Sequence, residues 1–181
     1  MKLKHTLDVA RLVVIASVVL ASPKIQHYNT NVKHIIPSPE FTQAEIKELK
    51  CLTANLFFEA RGEGALGLKA VAEVTINRSN SPKYPSDICK VVFQTSQFSW
   101  TFEQSKANIK DVLAGNLANY KLVEQKAYKQ AQEVAYKAYT SKNKLLPTNA
   151  LFYHTKTVKP YWADKFVKVA VIGNHVFYKE G

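Results

Sequence analysis

From residue 41 onward the hydrophobic positions follow first one period and then another. Leu49, Leu52, Leu56 and Glu59 fall on one side of a 3.6-residue wheel, which predicts a helix with an apolar stripe. Thr42, with Glu45 three residues on, forms a capping-box signature that opens this helix, and Gly62 and Gly64 close it near Arg61. A second helix restarts near Ala65 and runs to Arg78, with Leu68, Val71, Ala72 and Thr75 on its inner face. Pro82 and Pro85 then force a loop, and Ser86 is placed to cap a short helix through Val92. Residues 103–116 and 121–141 read as two more helices, the latter with Ala127, Ala131, Val134 and Ala138 at helical spacing. Leu146-Pro147 ends the helical part. Beyond it the apolar positions suit strands at 150–154, 166–172 and 176–178, and Gly173-Asn174 suits a tight turn between the last two. Helices followed by strands predict an α+β fold: a helical body with a small carboxy-terminal antiparallel β-sheet.

The first forty residues have a different texture. Lys2, Lys4 and Arg11 precede an apolar run, Leu12 to Ala21, which resembles an export signal across residues 1–22. The run is short for a membrane span of about 20 residues. It serves either as a signal peptide, with Val19 and Ala21 before the cut, or as a weakly held signal anchor; a buried amino-terminal helix is the alternative. Residues 23–40, with Pro23, Pro37 and Pro39, read as a linker, which leaves 41–181 as one folded domain. The expected location is therefore the periplasm or cell envelope. Export also makes Cys51 and Cys89 a candidate disulfide, because such bonds persist in oxidising compartments.

The 181 residues carry a formal net charge of +11, which suits a polyanionic partner: nucleic acid, an anionic membrane surface or an acidic cell wall. No basic run interleaved with stacking aromatics and no zinc-ligand cysteine pattern is present, so nucleic acid is not called for. Candidate chemistry centres on Glu59, a carboxylate at the end of an apolar stripe beside a glycine bend, where burial raises a pKa. Taken alone it is also an ordinary helix glutamate, and Glu63 four residues on is its rival or its partner. The Gln97-Phe98-Ser99-Trp100 piece reads as a loop whose groups suit sugar binding, with Phe98 expected in the core and Trp100 either stacking on a sugar or buried. Tyr120, Tyr128, Tyr136 and Tyr139 are expected to pack rather than to form a binding ladder. His154 and His175, at the ends of separate strands, are weak evidence for a metal site, and none is expected.

Three segments in order, FFEARGEGALGLKAVAEVTINR, YPSDICKVVFQTSQFSW and FYHTKTVKPYWADKFVKVAVIGNHVFYK, resemble the SleB/CwlJ-type cell wall hydrolases of spore cortex, bacterial envelopes and phage lysis cassettes. The resemblance covers roughly Cys51 to Lys179. It implies a lysozyme-like helical body and cleavage of the MurNAc–GlcNAc bond of peptidoglycan glycan strands, with Glu59 as the catalytic acid. It also implies Glu63, Gln97, Ser99, Trp100, Tyr153, His154, Trp162 and His175 as substrate-binding or site-supporting residues, no cofactor, and a monomer. Ordinary glycosidases need two carboxylates; the uncertain place of Glu63 favours lytic transglycosylation, in which one glutamate suffices and 1,6-anhydromuramic ends form. An N-acetylmuramoyl-L-alanine amidase and a non-catalytic wall-binding protein are the alternatives.

Overall fold

The computed structural model describes residues 41–181; the signal and linker assignments at 1–22 and 23–40 lie outside the described residues. Six helices come first: α1 (Gln43–Ala60), α2 (Gly64–Ser79), α3 (Ile88–Val92), α4 (Trp100–Glu103), α5 (Lys106–Ala114) and α6 (Leu122–Thr140). Three strands follow, β1 (Ala150–Thr155), β2 (Val167–Ile172) and β3 (His175–Lys179), with a 3₁₀ turn at Ala163–Lys165 ahead of β2. The sheet is antiparallel in the order β1-β3-β2, so β3 is central. The α+β expectation therefore holds.

Helix α1 begins as its sequence dictates. The Thr42 hydroxyl accepts from the Glu45 N–H, and the Glu45 carboxylate accepts from the Thr42 N–H at 2.7 Å, so two otherwise orphaned donors are satisfied at the first turn. Leu49, Leu52, Leu56 and Phe57 are then sealed in the core against α2 and α6. Each such side chain contributes about 1.5–3 kcal/mol by leaving water. A disulfide between Cys51 and Cys89 ties α1 to α3.

Polar side chains of α2 fix where the sheet docks. Buried Glu73 accepts the N–H groups of Leu145 and Leu146 at 2.8 Å, Asn77 donates to the carbonyls of Pro147 and Ala150, and Arg78 Nε donates to the Leu151 carbonyl at 2.8 Å. Unmet buried polar groups cost about 1–3 kcal/mol each, so these bonds leave residues 145–151 one low-energy path along α2. That path delivers β1 to the end of α1. Alternation along the strands then splits the sheet: Tyr153 and Phe177 face the helical body, while Phe152, Val176 and Tyr178 pack with Trp162, Ala163 and Phe166 on the far face.

Several boundaries differ from the sequence reading for identifiable reasons. The short third helix is capped by Asp87, whose carboxylate accepts the Lys90 N–H at 2.8 Å, and not by Ser86. The helix expected over 103–116 is two pieces: Trp100–Glu103 forms one turn, and Ser105 starts a new helix by capping Asn108, which Gly115 ends in a left-handed conformation at φ 72°. The piece read as a loop up to Trp100 therefore enters a helical turn at that residue.

Candidate active site

Glu59 sits in the last turn of α1, half-buried, where the Gly62–Gly64 bend turns the chain away from it. The Tyr153 hydroxyl of β1 donates to Glu59 Oε2 at 3.2 Å. Burial raises the carboxyl pKa from its ordinary value, the largest influence on it, and Glu103 pushes the same way; the Tyr153 bond and the positive Arg78 oppose the rise. Tyr153 itself is held well above the usual phenol range by burial and by the adjacent carboxylate, so it remains a donor. The site thus pairs one carboxyl whose pKa burial raises with one fixed phenol.

Arg78 is a member of this cluster that the sequence reading passed over. Its guanidinium is buried at 6% exposure, lies 5.5 Å from the ring centres of Tyr84 and Phe98 and 6.0 Å from that of Tyr153, and leaves one nitrogen, Nη1, without a hydrogen-bond partner among the described residues. Leu68, Val71, Thr75 and Arg78 share a helical phase, so a cation on the inner stripe of α2 was the available signal. Asn55, fully buried, was also passed over: its amide donates to Thr75 Oγ1 at 3.1 Å and its carbonyl accepts the Trp100 indole N–H at 3.0 Å.

Glu63 does not stand beside Glu59 as a free carboxylate. Its Oε2 accepts the Asn174 N–H at 2.5 Å, across the turn between β2 and β3, and lies 3.8 Å from His175 Nδ1. Two glycines make room for it. A Cβ on Gly173, whose φ is +58°, would collide with the Glu63 carboxylate, and a Cβ on Gly67 would collide with Glu63 Cβ. His175 is buried at 2% exposure, and burial lowers its pKa, with Glu63 opposing the shift. Its ring therefore packs as a neutral group behind Glu63, edge-on to Tyr153.

The family pattern of cell wall hydrolases matches residues 62–178, well over half the chain, and begins just past Glu59. This chain belongs to the cell wall hydrolase family. A spore cortex-lytic enzyme of Halalkalibacterium halodurans is 36% identical over 52 residues, which is 29% of this chain but only 16% of that relative's length. The catalytic domain of the germination-specific lytic transglycosylase SleB from Bacillus anthracis superposes with a TM-score of 0.55 at 23% identity, covering 80% of this chain and 100% of that domain. That likeness shows a shared fold, a helical lysozyme-like body with a small sheet.

The remaining candidate residues of this family member divide by location. Gln97 is half-buried and Ser99 exposed, on either side of buried Phe98 after the Ser96 backbone reversal at φ 62°. Trp100 is not available as a stacking surface: it is 3% exposed, its ring lies against Phe58 with centroids 4.6 Å apart, and its N–H is spent on Asn55. It underpins the end of α1 from within the core. Phe98 is core, as expected. His154 and Trp162 stand on the far face of the sheet, away from Glu59, where His154 packs on Tyr178 and Trp162. Strand alternation separates His154 from its neighbour Tyr153, a consequence the family resemblance does not carry.

Proposed function

We propose that the chain is a peptidoglycan-cleaving enzyme that acts on the MurNAc–GlcNAc bond as a lytic transglycosylase, with Glu59 as the single catalytic acid and base. The observation that carries this reading is the half-buried Glu59 carboxyl with a raised pKa, hydrogen-bonded by Tyr153 at 3.2 Å. Such a group keeps a proton to give to the leaving glycosidic oxygen. As positive charge develops at C1, the resulting carboxylate is stabilised by the Tyr153 donor and by Arg78. The muramic C6 hydroxyl then attacks C1, and its proton passes to Glu59. The C1–O bond to the leaving sugar breaks, the C1–O6 bond forms, and Glu59 ends as it began.

Glu63 supports this choice over hydrolysis by two carboxylates. A nucleophile or base for water has to be free to approach C1, and the Glu63 carboxylate is held by the Asn174 N–H beside His175. Gln97 and Ser99, near Phe98 and Arg78, are the polar groups we assign to sugar hydroxyl and acetamido contacts. The Cys51–Cys89 disulfide supports an exported location.

The test is product analysis. Full-length protein is incubated with purified sacculi and the soluble fragments are read by mass spectrometry. Ends one water lighter than reducing MurNAc are the expected product, and Glu59→Gln lowers their rate of formation by about 10²–10⁴. Reducing MurNAc ends would turn the reading to a muramidase, peptides released from intact glycan to an amidase, and undiminished anhydro products in Glu59→Gln would remove Glu59 from its role.

A further inference from the structure

The far face of the sheet carries a hollow, with a volume of about 550 Å³, that the proposed chemistry does not use. Its floor is apolar and aromatic: Phe166, Val176 and Tyr178. His154 lines it with its ring fixed at both nitrogens: Nδ1 lies 2.8 Å from the Thr155 carbonyl, which can only accept, and Nε2 lies 2.9 Å from the Tyr178 hydroxyl. Three lysines stand around this floor against one aspartate. Lys159 is paired with Asp164 at 3.0 Å, whereas Lys156 and Lys168 have no carboxylate within ion-pair distance among the described residues. The Lys156 N–H is held by the Asn174 carbonyl at 2.8 Å, so this rim is fixed to the same turn that Glu63 grips.

An apolar floor with two unmatched cations asks for a ligand that alternates small apolar groups with carboxylates. A neutral sugar leaves the lysines unanswered, and a phosphate polymer leaves the aromatic floor unanswered. We propose that this hollow binds the acidic peptide stem carried by the glycan, while Glu59 engages the sugar on the other face. The proposal rests on the peptidoglycan reading above. Four extended residues span about 13–14 Å, and β1, an edge strand paired only with β3, places Tyr153 and His154 on opposite faces at consecutive positions. A stem leaving the sugar beside Tyr153 passes over this edge to reach the lysines. The hollow thereby selects glycan that still bears peptide.

The experiment uses the full chain and the Lys156→Glu/Lys168→Glu double variant, both exposed positions whose replacement leaves the core intact. A synthetic stem tetrapeptide of alanine, γ-linked glutamate, a diamino acid and alanine is titrated by NMR. Wild type is expected to bind it in a salt-sensitive manner with shifts at Tyr178 and Val176, and the variant to bind about tenfold or more weakly. In digestion, wild type should prefer stem-bearing glycan over strands stripped of peptide, and the variant should lose that preference while still cleaving stripped strands. Absent peptide binding, equal binding by the variant, or shifts at these residues with a glycerol-phosphate polymer in place of the peptide would overturn the assignment. If neither glycan is cleaved but peptide binding depends on both lysines, the catalytic reading fails and the hollow stands.

Discussion

Replacing both cysteines, Cys51→Ala with Cys89→Ala, removes the one covalent tie between α1 and α3 among the described residues. The bond closes a loop of sequence separation 38. In the chain-entropy account, opening such a loop returns to the unfolded state about 13 cal/mol/K, which is about 4 kcal/mol at 25 °C. Unfolding a domain of about 140 residues carries an entropy near 0.3 kcal/mol/K at its midpoint. The double variant should therefore melt about 13 °C lower than the wild type. Differential scanning calorimetry on both proteins measures this, with a third scan of wild type in reductant that should fall to the variant's midpoint. Activity at 25 °C should survive, because Cys51 lies two turns before Glu59, about 12 Å along the helix. A loss below about 3 °C would refute the reasoning, since the packing of α1 on α3 would then hold the two together without the bond.

Tyr153→Phe removes the donor that favours the ionised Glu59, so the alkaline limb of the kcat/KM pH profile should move upward; a fixed or lowered limb would separate Tyr153 from the acid. Glu59→Gln should raise the melting temperature at neutral pH while lowering activity by about 10²–10⁴. The native carboxyl binds its proton more tightly than the unfolded chain, whose reference is 4.5, so its ionisation costs stability as pH rises through the window above 4.5 and the gain from glutamine vanishes below it. Circular-dichroism melts across pH check this sign. Gly173→Ala places a methyl into the Glu63 carboxylate at a φ of +58° and should cost about 1–2 kcal/mol or more in urea unfolding, whereas Gly62→Ala, with open space around it, should change stability by less than about 0.5 kcal/mol.

What the sequence disclosed were features written within a few residues of one another. The Thr42–Glu45 box, the stripe ending at Glu59, the strands and the Gly173-Asn174 turn all appear in the structure because each is decided by neighbours along the chain. Trp100 reads equally as sugar platform or core, because an aromatic next to polar residues suits both; its partners, Asn55 and Phe58, lie over forty residues away. Glu63 stayed ambiguous for a similar reason, its partner being a backbone N–H 111 positions along the chain. His154 was grouped with Tyr153 because a motif lists consecutive letters, whereas a strand sends consecutive side chains to opposite sides.

The bond between Tyr153 and Glu59 joins residues 94 positions apart, and the strand that carries Tyr153 follows α6. A chain that emerges amino-terminus first forms the helix bearing the acid long before the strand that bears its donor is available. Until residues 145–151 are seated on Glu73, Asn77 and Arg78, Glu59 ends an open wedge, with no burying wall to raise its pKa and no phenol to orient its carboxyl. On the proposed chemistry, competence to cut thus waits for the last strands to be seated. On that chemistry, a fragment lacking the last thirty or so residues would keep Glu59 and all six α-helices, yet should leave glycan uncut.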